Sequence, residues 1–400
     1  MERREFLARI AALGCSAAAS PLVTPVAFAA APWDARMVVV ILRGALDGLD
    51  AFRPVGDPDY AALRPTLRQG TLDLNGFFGM NAALSALMPL WDAGEMGAAH
   101  AVSTPYRDKR SHFDGQDILE AGHPGLIGSG SDGWLNRMLQ AIPNVTGETA
   151  FAIGREQQLI MSGNAPAARW SPEASLDLSP QAQQLIAMVH ASDPLFADAS
   201  AQAIEIAQSV AMSAQDDADE AEMMMADPMM AAVNANQEHV KLAEFAAARL
   251  RGETRIASFS INGWDTHLNQ KQGLQKALRK LSDTILTLRA GLAADWDKTA
   301  VLCLTEFGRT ARENGTKGTD HGTGGAMIFA GGALNGGRIL GDWPGLAEAD
   351  LYNRRDLMPT RDVRAYPAWV MHDLLGLSRR AIEGSIFPGL EMGSNPGIVA

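Results

Sequence analysis

The chain has 400 residues, of which 47% are hydrophobic and 20% charged, and its formal net charge is -12 at pH 7. So acidic a chain is not expected to bind nucleic acid, because phosphate recognition depends on clustered lysine and arginine. Beyond the N-terminal segment no stretch reaches the roughly 18 apolar residues that a membrane-spanning helix needs. Stable membrane insertion is therefore not expected either.

The N-terminal segment resembles a twin-arginine export signal. Arg3 and Arg4 precede a modest, Ala-rich apolar stretch, and Ala27–Ala29 supplies the small-x-small pattern of a cleavage site. This pattern predicts that residues 1–31 are removed and that the protein is periplasmic. The remaining residues 32–400 are enough for one large α/β domain or a domain with an inserted cap. A membrane anchor and, through Cys15, a lipoprotein signal are the alternatives, but the apolar stretch is short for either.

Five apolar runs of strand length follow the signal. Continuous runs of this kind are typical of parallel strands that are buried on both faces. They occupy Met37–Leu42, Met96–Val102, Ile256–Ile261, Thr299–Leu304 and Ala326–Ala330.

Helical segments lie between these strands. One is predicted to begin near Ser111, a suitable N-cap with Asp114 three positions on, and a long one covers Gln270–Leu292. An Ala-rich pattern at about 180–250 predicts a helical cap or insertion. Strand, helix and strand in repeated order predict an α/β fold with a mostly parallel central sheet flanked by helices.

Two Asp/His pairs follow the third and fourth of these strands. Asp265 and His267 lie in the sequence GWDTH, and Asp320 and His321 lie in a Gly-rich loop. Ligands of open α/β sheets bind outside the carboxyl ends of the strands, and mixed nitrogen and oxygen donors bind transition metals. The pairs predict a site for one or two divalent ions of Zn, Mn, Fe or Ca. A purely structural hydrogen-bond network is the alternative.

Three further residues near strand ends are candidates for the same site. Glu306 could be another ligand, and Arg309 could bind substrate oxygens through both nitrogens or pair with Glu306. Asp47, after the first strand, could ligate a metal or cap the following turn.

A nucleophile is suggested by the position of Ser111. The amide groups and dipole of a helix N-terminus favour an anion there, although a simple capping role is the alternative. Ser103 begins a loose Ser-x-Pro-x-Arg pattern, at which some sulfatases carry formylglycine, and it is a weaker candidate.

Five blocks of sequence together resemble a known family. In chain order they read RGALDGL, TPYRDKRSHFDGQD, GWDTHLNQ, TEFGRTARENGTKGTDHGTGG and GGRILGDWPGL. This combination resembles an exported bacterial family of unknown function within the alkaline phosphatase and sulfatase superfamily. The resemblance covers nearly all of the mature chain. It implies an alkaline phosphatase-like fold with one or two metals at the carboxyl edge of the sheet and a nucleophile at a helix start.

The resemblance also implies roles for individual residues. The matching positions are Asp47 as an acidic ligand, Ser111 as the nucleophile, Asp265 with His267 as one metal pair, and Asp320 with His321 as the other.

Two departures from the superfamily pattern affect the metal set. Glu306 stands at the strand end where the second Asp-His pair is usual, and Asp320 comes fourteen residues later. The superfamily also has a C-terminal histidine ligand, for which only His372 is available, within a pattern typical of an amphipathic helix. A reduced or altered metal set is therefore expected.

These observations predict a periplasmic, metal-dependent hydrolase of phosphate or sulfate esters. Ser111 or a water would attack a small anionic ester, and Arg110 or Arg309 would steady it. A non-catalytic periplasmic binding or assembly protein, associated with a co-exported protein, and a metal-dependent mutase are the alternatives.

Overall fold

The computed structural model describes residues 33–126, 131–143, 145–154, 158–170 and 237–400. The predicted export signal at residues 1–31 lies outside the described residues, as does most of the predicted insertion at about 180–250. Among the described residues, no helix is both long and apolar enough to cross a membrane.

Twelve strands are present in the described part of the chain. They are β1 Arg36–Arg43, β2 Phe52–Arg53, β3 Thr71–Asp73, β4 Gly79–Asn81, β5 Met96–Ser103, β6 Ala150–Ile153, β7 Ala168–Trp170, β8 Ile256–Asn262, β9 Thr299–Leu304, β10 Gly325–Ala330, β11 Ile339–Leu340 and β12 Arg361–Asp362.

Helices connect these strands. The α-helices are α1 Gly48–Ala51, α2 Tyr60–Leu63, α3 Met88–Asp92, α4 His112–Ala121, α5 Trp134–Gln140, α6 Glu238–Leu250, α7 Gln270–Leu292, α8 Ala365–Asp373 and α9 Arg379–Ala381. Shorter 3₁₀ segments occupy Ala82–Leu87, Leu159–Met161, Ala293–Lys298 and Glu348–Asp350, and a π-helical turn covers Ile382–Ile386.

Nine of the described strands form one sheet in the order β11-β5-β10-β9-β1-β8-β6-β7, with β12 beside β5. β1 pairs in parallel with β8 and β9, whereas β10 is antiparallel to β9 and β5. The prediction of a mostly parallel sheet flanked by helices is confirmed. All five predicted strands form, and their ends agree to within about one residue.

The antiparallel direction of β10 has a local cause. A parallel crossover usually needs a helix to return the chain to the same edge of the sheet. Residues 305–324, which connect β9 to β10, contain no helix. The chain therefore turns back directly, and this long loop stays at the edge where β9 ends.

β1 lies at the centre of the core. Its residues Met37–Leu42 are completely buried. Met37, Val39 and Ile41 face one apolar cluster, whereas Val38, Val40 and Leu42 face another on the opposite side of the sheet. This explains the uninterrupted apolar run, since a strand that is covered on both faces has no solvent side.

Four long strands end at one edge of the sheet. β1, β8 and β9 are mutually parallel, and β5 shares their direction because both it and β9 are antiparallel to β10. The loops that follow these strands therefore emerge together, as expected for a ligand site in an open α/β sheet.

Candidate metal centre

Four side chains from two of these loops and from the start of α4 converge at the carboxyl edge of the sheet. Asp265 Oδ1 lies 3.0 Å from His267 Nε2 and 3.3 Å from His321 Nε2, and Asp265 Oδ2 lies 3.4 Å from His112 Nε2. The Nε2 atoms of His267 and His321 are 2.9 Å apart. We call these four residues the donor cluster. Two nitrogens at about 2.0–2.1 Å from one tetrahedral ion would lie about 3.3 Å apart, so the spacing suits a shared cation.

The imidazole of His112 is oriented by Glu306. Its Nδ1 lies 2.7 Å from Glu306 Oε1, and the carboxyl group also accepts from Gly44 N at 2.9 Å and Gln116 Nε2 at 3.2 Å. Burial acts to raise the pKa of Glu306, but these hydrogen bonds outweigh it and hold the pKa below its usual value. The same hydrogen bond raises the pKa of His112, which makes its imidazole a stronger donor. Glu306 thus stands behind an imidazole of the cluster.

The other two imidazoles are anchored in the same way. His321 Nδ1 lies 2.9 Å from the carbonyl oxygen of Arg110, and His267 Nδ1 lies 3.3 Å from Asp320 Oδ1. An acceptor at Nδ1 selects the tautomer that carries its proton there, which leaves the Nε2 lone pair for a cation. The Nε2 atoms of His112 and His321 lie in one group with Asp265, and His267 Nε2 adjoins this group through Asp265 and His321.

Eight buried side-chain atoms in the described part of the chain have no hydrogen-bond partner, and one of them belongs to the donor cluster. His112 Nε2 is buried and makes no hydrogen bond, although Asp265 Oδ2 is within ion-pair distance. Buried polar atoms are nearly always satisfied. Donor atoms of His112, Asp265 and His321 lie within 4.8 Å of one another, so these residues fit a divalent metal.

Arg309 holds the carboxylate of the cluster. Its Nη1 donates to Asp265 Oδ1 at 2.7 Å, while Nε and Nη2 donate to the hydroxyl and carbonyl of Thr319 at 3.2 and 2.6 Å. Burial acts to raise the pKa of Asp265, but the hydrogen bond and charge of Arg309 outweigh it and lower the pKa. Arg309 was predicted either to bind substrate oxygens or to pair with Glu306. In the structure it forms an ion pair, but with Asp265 and not with Glu306.

Asp47 is not brought into the donor cluster. Its carboxylate is buried and pairs with Arg64 at 2.7 and 3.1 Å, and it accepts from Gln270 Nε2 at 2.6 Å. The hydroxyl of Thr319 is 3.4 Å from Asp47 Oδ2. Asp47 therefore lies behind Arg309, in a buried network that supports the site.

Ser111 lies between Arg110, which contacts the donor cluster, and His112, which belongs to it. It is the N-cap of α4, as predicted, and its Oγ accepts from Asp114 N at 3.3 Å. Its backbone N–H donates to Tyr106 Oη at 2.9 Å. Arg110 contacts His321 through its carbonyl oxygen, and its side chain is exposed.

His112 is the member of the cluster that the sequence analysis did not single out. It directly follows the N-cap of α4, and Asp114 lies two positions on, at the same spacing as Asp265 and His267, so the sequence held a signal that could have revealed it. His372 lies on α8 and contacts Asp373 at 2.7 Å. Its predicted helical setting is confirmed.

These features define an α/β protein with a candidate metal centre at the carboxyl edge of its sheet. Residues 102–366 match the family model described as a protein of unknown function (DUF1501). The match covers more than half of the chain, so the chain belongs to this family. No curated protein matches the chain significantly.

The chain is similar in part to several solved structures. The chain is 12% identical to a protein in the alkaline phosphatase superfamily from Vibrio parahaemolyticus, with a TM-score of 0.34 over 83% of this chain and 69% of that one. It is 10% identical to the C-terminal periplasmic domain of EcEptC from Escherichia coli, with a TM-score of 0.38 over 91% and 92%. For the Zn complex of that domain the values are 8%, 0.31, 74% and 73%.

Proposed function

We propose that the protein is a metal-dependent hydrolase of phosphate or sulfate esters that acts after export to the periplasm. The observation that carries the proposal is the convergence of three Nε2 atoms on Asp265, each imidazole being anchored through Nδ1. An arrangement with three oriented imidazoles and one carboxylate suits a four-coordinate cation.

The donor cluster would hold one ion of Zn, Mn or Fe. Imidazole nitrogen suits these metals, whereas Ca binds oxygen ligands and is the poorer fit among the predicted ions. The bound ion would polarise an ester oxygen as a Lewis acid. Glu306 and Asp320 would hold the imidazoles rather than the ion, since both accept from Nδ1.

Ser111 supplies the nucleophile in this proposal. Its Oγ would form the bond to phosphorus or sulfur while the bond to the ester oxygen breaks, and the alcohol would leave with a proton. Water would then release phosphate or sulfate and restore the hydroxyl. The exposed guanidinium of Arg110 would steady the anion, which suits a small anionic ester as the substrate of an otherwise acidic chain.

A non-catalytic role is the second candidate, favoured by one observation. The Ser111 hydroxyl already caps α4, and the donors of Arg309 already bond Asp265 and Thr319. Both residues are thus accounted for by structure alone. A periplasmic binding or assembly protein with a co-exported partner would need nothing more.

Elemental analysis joined to an ester screen tests the proposal. The mature protein should contain about one equivalent of metal and hydrolyse aryl phosphates or sulfates. Asp265→Ala should lose both properties, whereas His372→Ala, which changes a histidine outside the cluster, should keep both. Metal without turnover under any added ion would favour the binding role, and no metal under replete conditions would reject the centre.

A further inference from the structure

A cavity of about 470 Å³ opens directly beside the donor cluster. Its lining includes Gly44 at the end of β1, His112 and Phe113 at the start of α4, and Gly263 and Asp265 after β8. We call it the α4–β8 cavity. Since His112 and Asp265 contribute donor atoms, the part of a substrate that extends from the metal would enter this space.

A second cavity does not have this access. It measures about 620 Å³, and its lining includes Asp320, Arg312 and Arg355. Asp320 lies on the Nδ1 side of His267, so this space faces the back of that imidazole. The α4–β8 cavity is therefore the better place for the group attached to the ester oxygen.

The arginine that lines the α4–β8 cavity is already neutralised. Arg43 Nη2 lies 2.7 Å from the buried carboxylate of Glu120, Nη1 donates to Gln116 Oε1 at 2.7 Å, and Nε donates to Ser260 Oγ at 3.0 Å. Its donors are thus held by protein acceptors. A second anionic group on the substrate would therefore gain no ion pair with Arg43 in this cavity.

Phe113 gives this cavity an apolar wall. Phe113 is 83% exposed, which makes it the most exposed large hydrophobic residue in the described part of the chain. It directly follows His112 and stands two positions after Ser111. Leu268, 64% exposed, likewise directly follows His267. Exposed apolar side chains are ordinary when scattered singly, but these two adjoin histidines of one cluster.

We propose that the α4–β8 cavity receives an uncharged aromatic leaving group, with Phe113 as the residue that selects it. This inference rests on the proposed function and specifies its substrate class. The ring of Phe113 would pack against the leaving group while the ester anion lies at the donor cluster. Aromatic pairs gain from offset or edge-to-face contact, so a phenyl ester is favoured over a methyl ester.

Binding of non-hydrolysable analogues to the Zn-loaded protein tests the inference without requiring turnover. The probes are phenylphosphonate against methylphosphonate, and benzenesulfonate against methanesulfonate. The wild-type protein should bind the aromatic member of a pair about tenfold more tightly, and Phe113→Ala should lose most of that preference. Phe113→Tyr, which keeps the ring, should retain it.

Val55→Ala is the matched control, because Val55 is also exposed, at 44%, and does not line the cavity. Equal binding of phenyl and methyl probes by the wild type, or an unchanged preference in Phe113→Ala, would overturn the inference. A phenyl preference without any ester turnover would support the cavity assignment while rejecting the hydrolase. Turnover without the preference would reject the leaving-group assignment alone.

Discussion

Glu306 and His112 are 194 positions apart in the chain, yet Oε1 of one lies 2.7 Å from Nδ1 of the other. The contact joins the end of β9 to the first residue of α4 across the edge of the sheet. It turns His112 Nε2 towards Asp265. A buried carboxylate that fixes an imidazole in this way is a common feature behind metal ligands.

Glu306→Gln should weaken metal binding without abolishing it. The amide keeps the shape of the side chain but removes the charge that makes His112 a stronger donor, so affinity should fall by about 10–100-fold. Competition with a chelator measures the change. Glu383→Gln, which alters a partly exposed carboxylate paired with Arg379, should leave affinity unchanged; an equal loss in both variants would contradict a specific role for Glu306.

Arg309→Lys should separate positioning from substrate binding. Lysine keeps the charge but cannot reproduce the three hydrogen bonds to Asp265 and Thr319. The Kd for Zn should therefore rise, while KM for an aryl ester at saturating metal stays the same. Arg379→Lys on the surface is the control. An unchanged Kd with a raised KM would place the guanidinium on the substrate instead.

The position of the site could be predicted from the sequence, but which of its residues offer donor atoms and which orient the imidazoles could not. Asp265 and His267 follow an apolar run that had to be a buried strand, and the structure places both at the carboxyl edge of the sheet. The spacing of residues along a loop does not say which face of an imidazole a carboxylate meets. For this reason Glu306 and Asp320 were predicted as ligands, whereas the structure places both at Nδ1 atoms.

Contacts between distant segments explain the remaining differences. His112 reaches the cluster only because β5 and β8 end at the same edge of the sheet. These two strands are not neighbours, since β10, β9 and β1 lie between them. Asp47 was predicted as a ligand from its place after β1. Its charge is neutralised by Arg64, seventeen positions further along the chain, and no sequence pattern indicated that the two residues would pair. Long-range pairing of this kind leaves no periodic pattern in the sequence.

Asp47→Asn should destabilise the fold more than it affects the metal. It leaves the buried guanidinium of Arg64 without a counter-charge, a change that typically costs about 3–5 kcal/mol. Chemical denaturation measures the loss, and the folded fraction should still bind metal. A double variant with Arg64→Met should recover part of the stability. Loss of metal binding with unchanged stability would instead indicate that Asp47 is a metal ligand.

The difference in stability between the wild type and Asp47→Asn should depend on pH in a definite direction. Burial acts to raise the pKa of Asp47, but the charge and hydrogen bonds of Arg64 outweigh it and lower the pKa. The stabilisation from Asp47 is therefore complete above its unfolded pKa of about 3.9 and is lost as the pH falls through the lower folded value. The free energies of unfolding of the wild type and of Asp47→Asn should therefore become more alike as the pH falls below about 4. A difference that widens there would contradict the charge pairing.

Ser111→Ala should remove turnover while metal remains bound. The loss of the N-cap of α4 should also cost about 1 kcal/mol of stability. Ser378→Ala is a matched control, since Ser378 caps α9 through the same kind of contact, 3.2 Å from Ala381 N. Both variants should show a similar small stability loss, but only Ser111→Ala should be inactive. Full activity in Ser111→Ala would exclude it as the nucleophile.

Two glycines of the β9–β10 loop provide a test of how closely the site loops must approach. A Cβ at Gly318 would lie 2.3 Å from the carbonyl oxygen of His267, whereas a Cβ at Gly315 would meet no atom within 4 Å. Gly318→Ala must therefore push the loop that carries Asp265 and His267 away from the loop that carries His321. Metal affinity should fall in this variant, because the His267 and His321 nitrogens can no longer remain 2.9 Å apart. Gly315→Ala should bind metal as the wild type does; unchanged affinity in both variants would show that His267 is not needed to hold the ion.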